Sequence, residues 1–191
     1  MKYINILFIF FLASCQSKEP VSVKEIISNE VVTILPNVKN PSIKDSIPLS
    51  VPIEFEITIN SSNLKTLDLF CLIDGKRLLD DFLDYQVYDK QNKSKPIHTL
   101  DLSSKKITII IKERNHLISK KDAVNLLKKY NKNQSIENLK FRDTIKFINA
   151  NKFKMENKVI INEFNKVNDS LVFRALLEGG KMILVKKKIN W

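Results

Sequence analysis

Apolar and polar residues alternate in the stretch around residue 55. Ile53, Phe55, Ile57 and Ile59 are separated by two glutamates and a threonine. A period of two places successive side chains on opposite faces of a β-strand. This stretch therefore predicts a strand with one apolar face.

Further strands are predicted in the same half of the chain. Residues 67–73 are almost all apolar, which indicates a more fully buried strand, and Asp74-Gly75 ends the run. Residues 85–88 and 106–111 are shorter strand candidates. Strands at such spacing predict a β-rich, sandwich-like part over residues 46–118, for which an immunoglobulin-like sandwich is one architecture.

The rest of the chain combines helical and strand patterns. Ser119 can cap a helix in which Asp122 is the third residue, and apolar residues at helical spacing continue to about Asn131. Residues 143–148 predict a strand, and residues 157–167 predict a second helix.

The last segment has the pattern of a β-hairpin. Two strand-like stretches, residues 171–178 and 181–189, flank Gly179-Gly180, which predicts a two-residue loop. In this register Glu178 faces Lys181 across the turn, and their opposite charges favour the pairing.

These patterns together predict an α+β fold. A β-rich, sandwich-like N-terminal part (residues 46–118) is followed by a mixed helix and strand C-terminal part (residues 119–191) that ends in the hairpin. The second part is either a separate domain or a portion of the same one.

The first fourteen residues have the features of a signal peptide. Met1-Lys2-Tyr3 is a short positive start, and residues 4–12 are apolar apart from Asn5. A membrane-spanning helix needs about 20 apolar residues. The run is too short to span and instead matches the apolar region of a secretory signal, so residues 1–14 are predicted to be removed.

The end of this signal carries a resemblance to a known family. Leu12-Ala13-Ser14-Cys15 resembles the lipobox of bacterial lipoproteins, with Ser14 where glycine or alanine is commoner. The resemblance implies that diacylglycerol is attached to Cys15, which becomes the first residue, and that acyl chains anchor the protein in the cell envelope. Gln16 rather than aspartate follows, which by the same resemblance favours the outer over the inner membrane. An ordinary secretory signal with a coincidental cysteine is the alternative.

Residues 15–45 are predicted to form the lipidated cysteine and an extended tether. Pro20, Pro36 and Pro41 lie here among serine and asparagine residues, a composition that suits a linker. Residues 30–35 are rich enough in β-branched side chains to form a first strand, in which case the tether ends earlier.

Composition argues against several kinds of site. The chain has three glycines, two of them adjacent, so it lacks the spaced glycines of a phosphate-binding loop, a dinucleotide fold or a nucleophile elbow. Two histidines argue against a histidine-rich zinc site. Cys71, in an apolar run, is interpreted as a small buried hydrophobic residue rather than a reactive thiol. No cofactor or metal is expected.

The formal net charge of +11 is concentrated in the C-terminal half, where residues 101–191 carry 21 basic and 9 acidic side chains. Such a surface suits a membrane with anionic lipid, a polyanionic glycan or an acidic protein. Because 28 of the 32 basic residues are lysines, the charge can equally reflect an AT-rich genome. Scarce arginine argues against nucleic acid as a partner. The candidate lysines for contact with an anionic surface are Lys120, Lys121, Lys128, Lys129, Lys186, Lys187 and Lys188.

An acidic cluster offers an enzymatic alternative. Asp80, Asp81 and Asp84, with Asp74 and Asp89 nearby, contain the residue type that glycoside hydrolases use in pairs. A solvated helix face is the simpler interpretation. The sequence therefore predicts a membrane-anchored envelope lipoprotein with a non-catalytic binding or interaction role, and a glycan-active or other envelope hydrolase as the alternative.

Overall fold

The computed structural model describes residues 19–37, 43–77, 85–137 and 139–191. In these residues the chain forms twelve strands and three helices, and the fold is α+β, as the sequence predicts. The strands are β1 (Val21–Ile26), β2 (Val31–Ile34), β3 (Ser46–Ser50), β4 (Ile53–Ile59), β5 (Leu64–Ile73), β6 (Lys76–Arg77), β7 (Tyr85–Asp89), β8 (Lys106–Arg114), β9 (His116–Ser119), β10 (Ile145–Asn149), β11 (Ser170–Leu177) and β12 (Met182–Lys188). The helices are α1 (Lys120–Lys129), α2 (Ala150–Glu156) and α3 (Lys158–Asn165).

The first antiparallel sheet is built around β4 and has the order β1-β4-β8-β7. Every second residue of β4 from Ile53 to Ile57 is buried, which confirms the apolar face predicted from the alternation. Glu54, which alternates with them, is buried too. Its carboxylate accepts hydrogen bonds from Lys90 Nζ at 2.6 Å and from Ser28 Oγ at 2.8 Å. These partners offset the cost of burying a charge.

The second sheet, with the order β10-β2-β3-β9, draws its strands from distant parts of the chain. β2 pairs with β3 and β10, whereas β1 pairs with β4 of the first sheet. β1 and β2 both lie within residues 15–45, the stretch expected to form the tether. Val21, Val32 and Ile34 are fully buried, so their side chains hold this stretch against the core. β2 matches the strand expected at residues 30–35, whereas β1 lies where the pattern predicts none.

The third sheet has the order β12-β11-β5-β6, and the two faces of β5 differ. Every second residue from Leu67 to Cys71 is buried, whereas Phe70 and Leu72 are half-buried. The Arg77 guanidinium lies 4.6 Å from the centre of the Phe70 ring. β5 is therefore buried on one face and half-buried at Phe70 and Leu72 on the other, and the buried position predicted for Cys71 is confirmed.

The terminal hairpin forms where predicted, with a different register. Its two adjacent glycines have φ angles of 85° and 82°, a region that glycine reaches without a steric penalty. Leu177 N–H donates to the Lys181 carbonyl at 2.9 Å. Glu178 therefore joins the two glycines in a three-residue loop. The predicted pairing of Glu178 with Lys181 is wrong by one residue.

α1 begins at the predicted cap. The Ser119 hydroxyl accepts a hydrogen bond from Asp122 N–H at 3.0 Å. Ala123, Leu126 and Leu127 are buried on one side of the helix, which packs on β9 and β3. Local capping and one apolar stripe therefore suffice to define this helix.

Two short helices follow β10. The Asn149 side chain accepts a hydrogen bond from Lys152 N–H at 2.8 Å and caps α2, a helix that the sequence analysis did not predict. Asn157 separates α2 from α3, the helix predicted over residues 157–167, and Phe164 buries its ring on the inner face of α3.

One cluster of buried apolar side chains includes members of all three sheets and all three described helices. β10 pairs with β2, and β11 pairs with β5. The residues before and after position 119 therefore contribute strands to the same sheets. Their apolar side chains are buried in the same cluster.

We expect the variant Ser119→Ala to lower the free energy of unfolding by about 1 kcal/mol, because Asp122 N–H loses its capping acceptor. Urea denaturation measures the difference. Ser103→Ala is the control, since Ser103 lies exposed in a turn and caps no helix. Equal losses in the two variants would contradict a stabilising cap at Ser119.

Candidate functional site

The candidate lysines of α1 are not equivalent. Lys120 Nζ donates to both Glu137 carboxylate oxygens, at 3.1 and 2.9 Å. Lys129 Nζ donates to the Glu156 carbonyl at 2.8 Å and to Asn157 Oδ1 at 2.9 Å, so it ties α1 to the junction of α2 and α3. Lys121 and Lys128 are exposed and lie seven residues apart, on one stripe of the helix.

The three lysines of β12 divide between the two faces of its sheet. Lys186 and Lys188 are exposed on one face, together with Met182 and Leu184, and Lys187 is half-buried on the other. β12 is the last strand of its sheet. The structure thus leaves Lys121 and Lys128 on α1 and Lys186 and Lys188 on β12 exposed and without a side-chain hydrogen bond or ion pair among the described residues, whereas Lys129 is exposed but engaged.

The predicted lipid-attachment residue and the centre of the acidic cluster are outside the described residues: Cys15, Asp80, Asp81 and Asp84. The flanking members are described. Asp74 Oδ1 accepts a hydrogen bond from Asn168 N–H at 2.8 Å, and Asp89 Oδ1 accepts one from Gln91 N–H at 2.7 Å. The Asp74 carboxylate therefore links the turn after β5 to the segment before β11, and the Asp89 carboxylate holds the local turn after β7.

The residue that sequence reasoning missed is Asp169, which lies just before β11 and is fully buried. Its Oδ2 accepts hydrogen bonds from Tyr85 Oη at 2.6 Å, Arg114 Nε at 3.0 Å and Trp191 Nε1 at 3.1 Å. Burial, and then the Asp169 charge, raise the pKa of the Tyr85 phenol, so this group stays a donor. A single aspartate beside an apolar strand gives no sequence signal for such a cluster.

His116 lies beside this cluster between two aromatic rings. Its imidazole stacks on Phe164, with ring centres 3.8 Å apart, and meets the Trp191 ring edge-on at 4.5 Å. The residue is 5% exposed. Burial, and then the nearby Arg114 guanidinium, lower the pKa of His116 to about 2. The imidazole is therefore neutral at physiological pH.

Three buried polar atoms near this cluster have no hydrogen-bond partner within the described part of the chain: Asp169 Oδ1, Ser170 Oγ and His116 Nε2. Buried polar atoms normally have one, from protein or from water. The cluster therefore retains hydrogen-bonding capacity that the protein itself does not use.

A cleft of about 570 Å³ opens next to His116. One wall is the continuous stretch of residues 114–119, which contains β9. The opposite wall is formed by Ile160, Glu163 and Phe164 of α3 and by Val167, two residues after the helix ends. Asp122, in the first turn of α1, lines it as well. An edge strand and a helix thus form the two sides of one groove.

Comparisons of the chain with protein-family models, with curated proteins and with solved structures gave no match. Over residues 19–37, 43–77, 85–137 and 139–191, no helix is long and apolar enough to cross a bilayer. In the same ranges no group of three or more histidine, cysteine, aspartate or glutamate side chains is arranged to hold a metal ion.

The pKa of His116 leads to a testable pH dependence. His116→Phe keeps an aromatic ring on Phe164. In the wild type the pKa of His116 is about 2 in the folded protein and 6.5 in the unfolded chain. Below pH 6.5, therefore, the unfolded chain takes up a proton at this residue and the folded protein does not. We expect the free energy of unfolding of the wild type to fall by about 2 kcal/mol relative to the variant between pH 7 and pH 5.

Denaturation of both proteins across this pH range measures the effect. Above pH 7 the two curves should run parallel, which serves as the internal control. Equal slopes between pH 7 and pH 5 would show that His116 is not held neutral.

Proposed function

We propose that the protein is an envelope lipoprotein, anchored through an acylated Cys15, whose folded part has a non-catalytic binding role at the membrane. The observation that carries this proposal is the lipobox-like segment Leu12-Ala13-Ser14-Cys15 behind a nine-residue apolar run. Gln16 favours the outer membrane by the same resemblance. The sequence thus supplies the anchor, and the folded part supplies the binding surface.

The short connection between anchor and fold supports a role close to the bilayer. β1 begins at Val21, so five residues, 16–20, separate it from Cys15. A fully extended connection of this length reaches about 20 Å. The folded part is therefore confined near the lipid headgroups, much closer than a tether that extends to residue 45 would hold it.

This confinement favours an anionic membrane surface as the partner of the exposed lysines. Electrostatic attraction falls off within about 8 Å at physiological salt, and each well-placed lysine contributes about 1 kcal/mol. Lys121 and Lys128 of α1 and Lys186 and Lys188 of β12 are the members of the candidate set that are exposed and make no side-chain hydrogen bond or ion pair among the described residues. A polyanionic glycan or an acidic protein would use the same charges and is distinguished by the vesicle experiment below.

We also propose that the β-rich part is sandwich-like. In support, β4 and β8 of the first sheet and β5 and β11 of the third contribute their inward apolar residues to the same buried cluster. Two sheets that share one core in this way are the basis of a sandwich.

The anchor is tested by Cys15→Ser. We expect this variant to lose metabolic labelling with a fatty acid and to leave the membrane fraction, because the thiol that carries the diacylglycerol is gone. Cys71→Ala is the matched control and should keep both properties, since it removes the chain's other cysteine. If labelling persists in Cys15→Ser, the lipoprotein assignment is wrong.

The membrane contact is tested with vesicles. A soluble form that lacks residues 1–15 should bind vesicles that contain phosphatidylglycerol at low salt and dissociate at high salt. Replacing Lys121, Lys128, Lys186 and Lys188 by glutamine should weaken binding at least tenfold. Testing the α1 pair and the β12 pair separately shows which element faces the membrane.

A charge-matched control separates a defined surface from net charge alone. It replaces four other exposed lysines by glutamine, Lys65, Lys76, Lys95 and Lys105. An equal loss in this control would mean that no particular lysine surface is used. Binding that ignores salt, or no binding to any anionic vesicle, would instead direct the search to a glycan or a protein.

A further inference from the structure

The backbone of β9 has hydrogen-bonding groups on its outer edge. β9 is the last strand of the second sheet and pairs there with β3. Lys120 N–H donates to the Asp45 carbonyl at 2.9 Å. In an antiparallel pair, hydrogen-bonded residues alternate with residues whose N–H and C=O point away from the partner. Because Ile118 and His116 precede Lys120 at steps of two, their backbone groups bond to β3, and those of Leu117 and Ser119 face outward.

Pro48 of β3 supports this assignment independently. It lies opposite Leu117 in the β3–β9 register. Proline has no N–H to donate, and the Pro48 carbonyl accepts a hydrogen bond from Leu35 N–H of the neighbouring chain segment at 3.1 Å. Pro48 therefore has no N–H to donate to Leu117, and its carbonyl is directed at Leu35 instead. The Leu117 N–H and C=O and the Ser119 N–H are therefore directed away from β3, and the residues that carry them line the cleft.

The cleft beside this edge has the walls of a peptide groove. Leu117 is 47% exposed, and Ile160 and Val167 are partly buried on the opposite side. An extended peptide that adds to a sheet edge gains main-chain hydrogen bonds for affinity, and its alternate side chains contact the flanking wall for specificity. The volume of about 570 Å³ is in the range of binding pockets.

The charges that line the groove indicate a basic residue in the peptide. The Arg114 guanidinium is engaged by Asp169 at 3.0 Å, and Glu163 pairs with Lys166 at 2.6 Å. Asp122 accepts a hydrogen bond from the Ser119 hydroxyl at 2.6 Å but has no ion pair among the described residues. Asp122 is therefore a lining carboxylate without an ion pair among the described residues, and it lies at the end of β9 where α1 begins.

We infer that the groove between β9 and α3 binds an extended polypeptide segment as an additional strand on the Leu117–Ser119 edge, with apolar side chains against Ile160 and Val167 and a lysine or arginine near Asp122. This site uses none of the four lysines of the proposed membrane contact, although Asp122 is the chain neighbour of Lys121, and it does not depend on Cys15. It assigns the protein a second partner, a segment of another polypeptide with alternating apolar and basic residues.

Three eight-residue synthetic peptides probe the site, with valine alternating with lysine, serine or glutamate. They are titrated into the full chain in detergent, and amide shifts are followed by NMR. We expect the lysine peptide to bind best and the glutamate peptide least, with the largest shifts at Leu117 and Ser119. Preference for the glutamate peptide, shifts centred elsewhere, or no binding by any peptide would each overturn the inference.

Variants test the backbone and charge contributions separately. Leu117→Pro removes the outward N–H and should weaken binding of the lysine peptide at least tenfold. Leu184→Pro makes the same change on the edge strand β12 and should leave binding unchanged. Asp122→Asn should reduce the preference for the lysine over the serine peptide. Unchanged binding in a folded Leu117→Pro variant would overturn the inference.

A modified probe covers the case in which Leu117→Pro does not fold. The lysine peptide is N-methylated at alternate residues, in two versions that block one or the other edge of the peptide. We expect one version to bind and the other to fail, because a strand uses one edge to pair. Equal binding by both versions would exclude strand addition at β9.

Discussion

The arrangement of the three sheets depends on the burial of one carboxylate, that of Asp169. Tyr85 belongs to β7, Arg114 ends β8, and Trp191 follows β12, yet all three donate to the same oxygen. Trp191 also touches His116 of β9, so the second sheet joins the first and the third at this point. A buried carboxylate without partners is costly, and loss of one partner typically costs about 3–5 kcal/mol. The three donors are therefore coupled, and their joint requirement restricts how the sheets can meet.

This constraint also shapes the groove beside β9. His116 is fixed between Phe164 of α3 and Trp191, so the ring that packs next to the Asp169 cluster also sets the spacing of the two groove walls. A neutral imidazole suits this place, because a second positive charge beside Arg114 would be desolvated and repelled. The packing that joins the sheets thus also fixes the position of α3 relative to β9, and with it the shape of the cleft that both line.

Local patterns in the sequence predict the local structure well. Contacts between residues far apart in the chain are not predicted by such patterns. The alternation around Phe55 and the cap at Ser119 each depend on residues a few positions apart, and both were predicted. The partners of Asp169 lie 84, 55 and 22 residues away, and no pattern in one sequence relates them. The register predicted for the hairpin is wrong for a different reason. Two adjacent glycines fit both a two-residue and a three-residue loop. Glu178 N–H bonds instead to the Asn63 carbonyl of a neighbouring segment, at 2.8 Å.

Two edge strands, β12 and β9, differ in a way that bears on function. Exposed strand edges invite pairing with other chains, and lysine side chains on an edge oppose it. β12 carries Lys186 and Lys188 on its exposed face, so these residues can protect the edge as well as contact anionic lipid. β9 has Leu117 near its centre, and α3 lies beside it. In the proposed peptide site the helix leaves space for one added strand at this edge and not for a wider sheet. The two lysines of β12 therefore oppose pairing at that edge, whereas the outer edge of β9 carries the outward backbone groups on which the proposed peptide site depends.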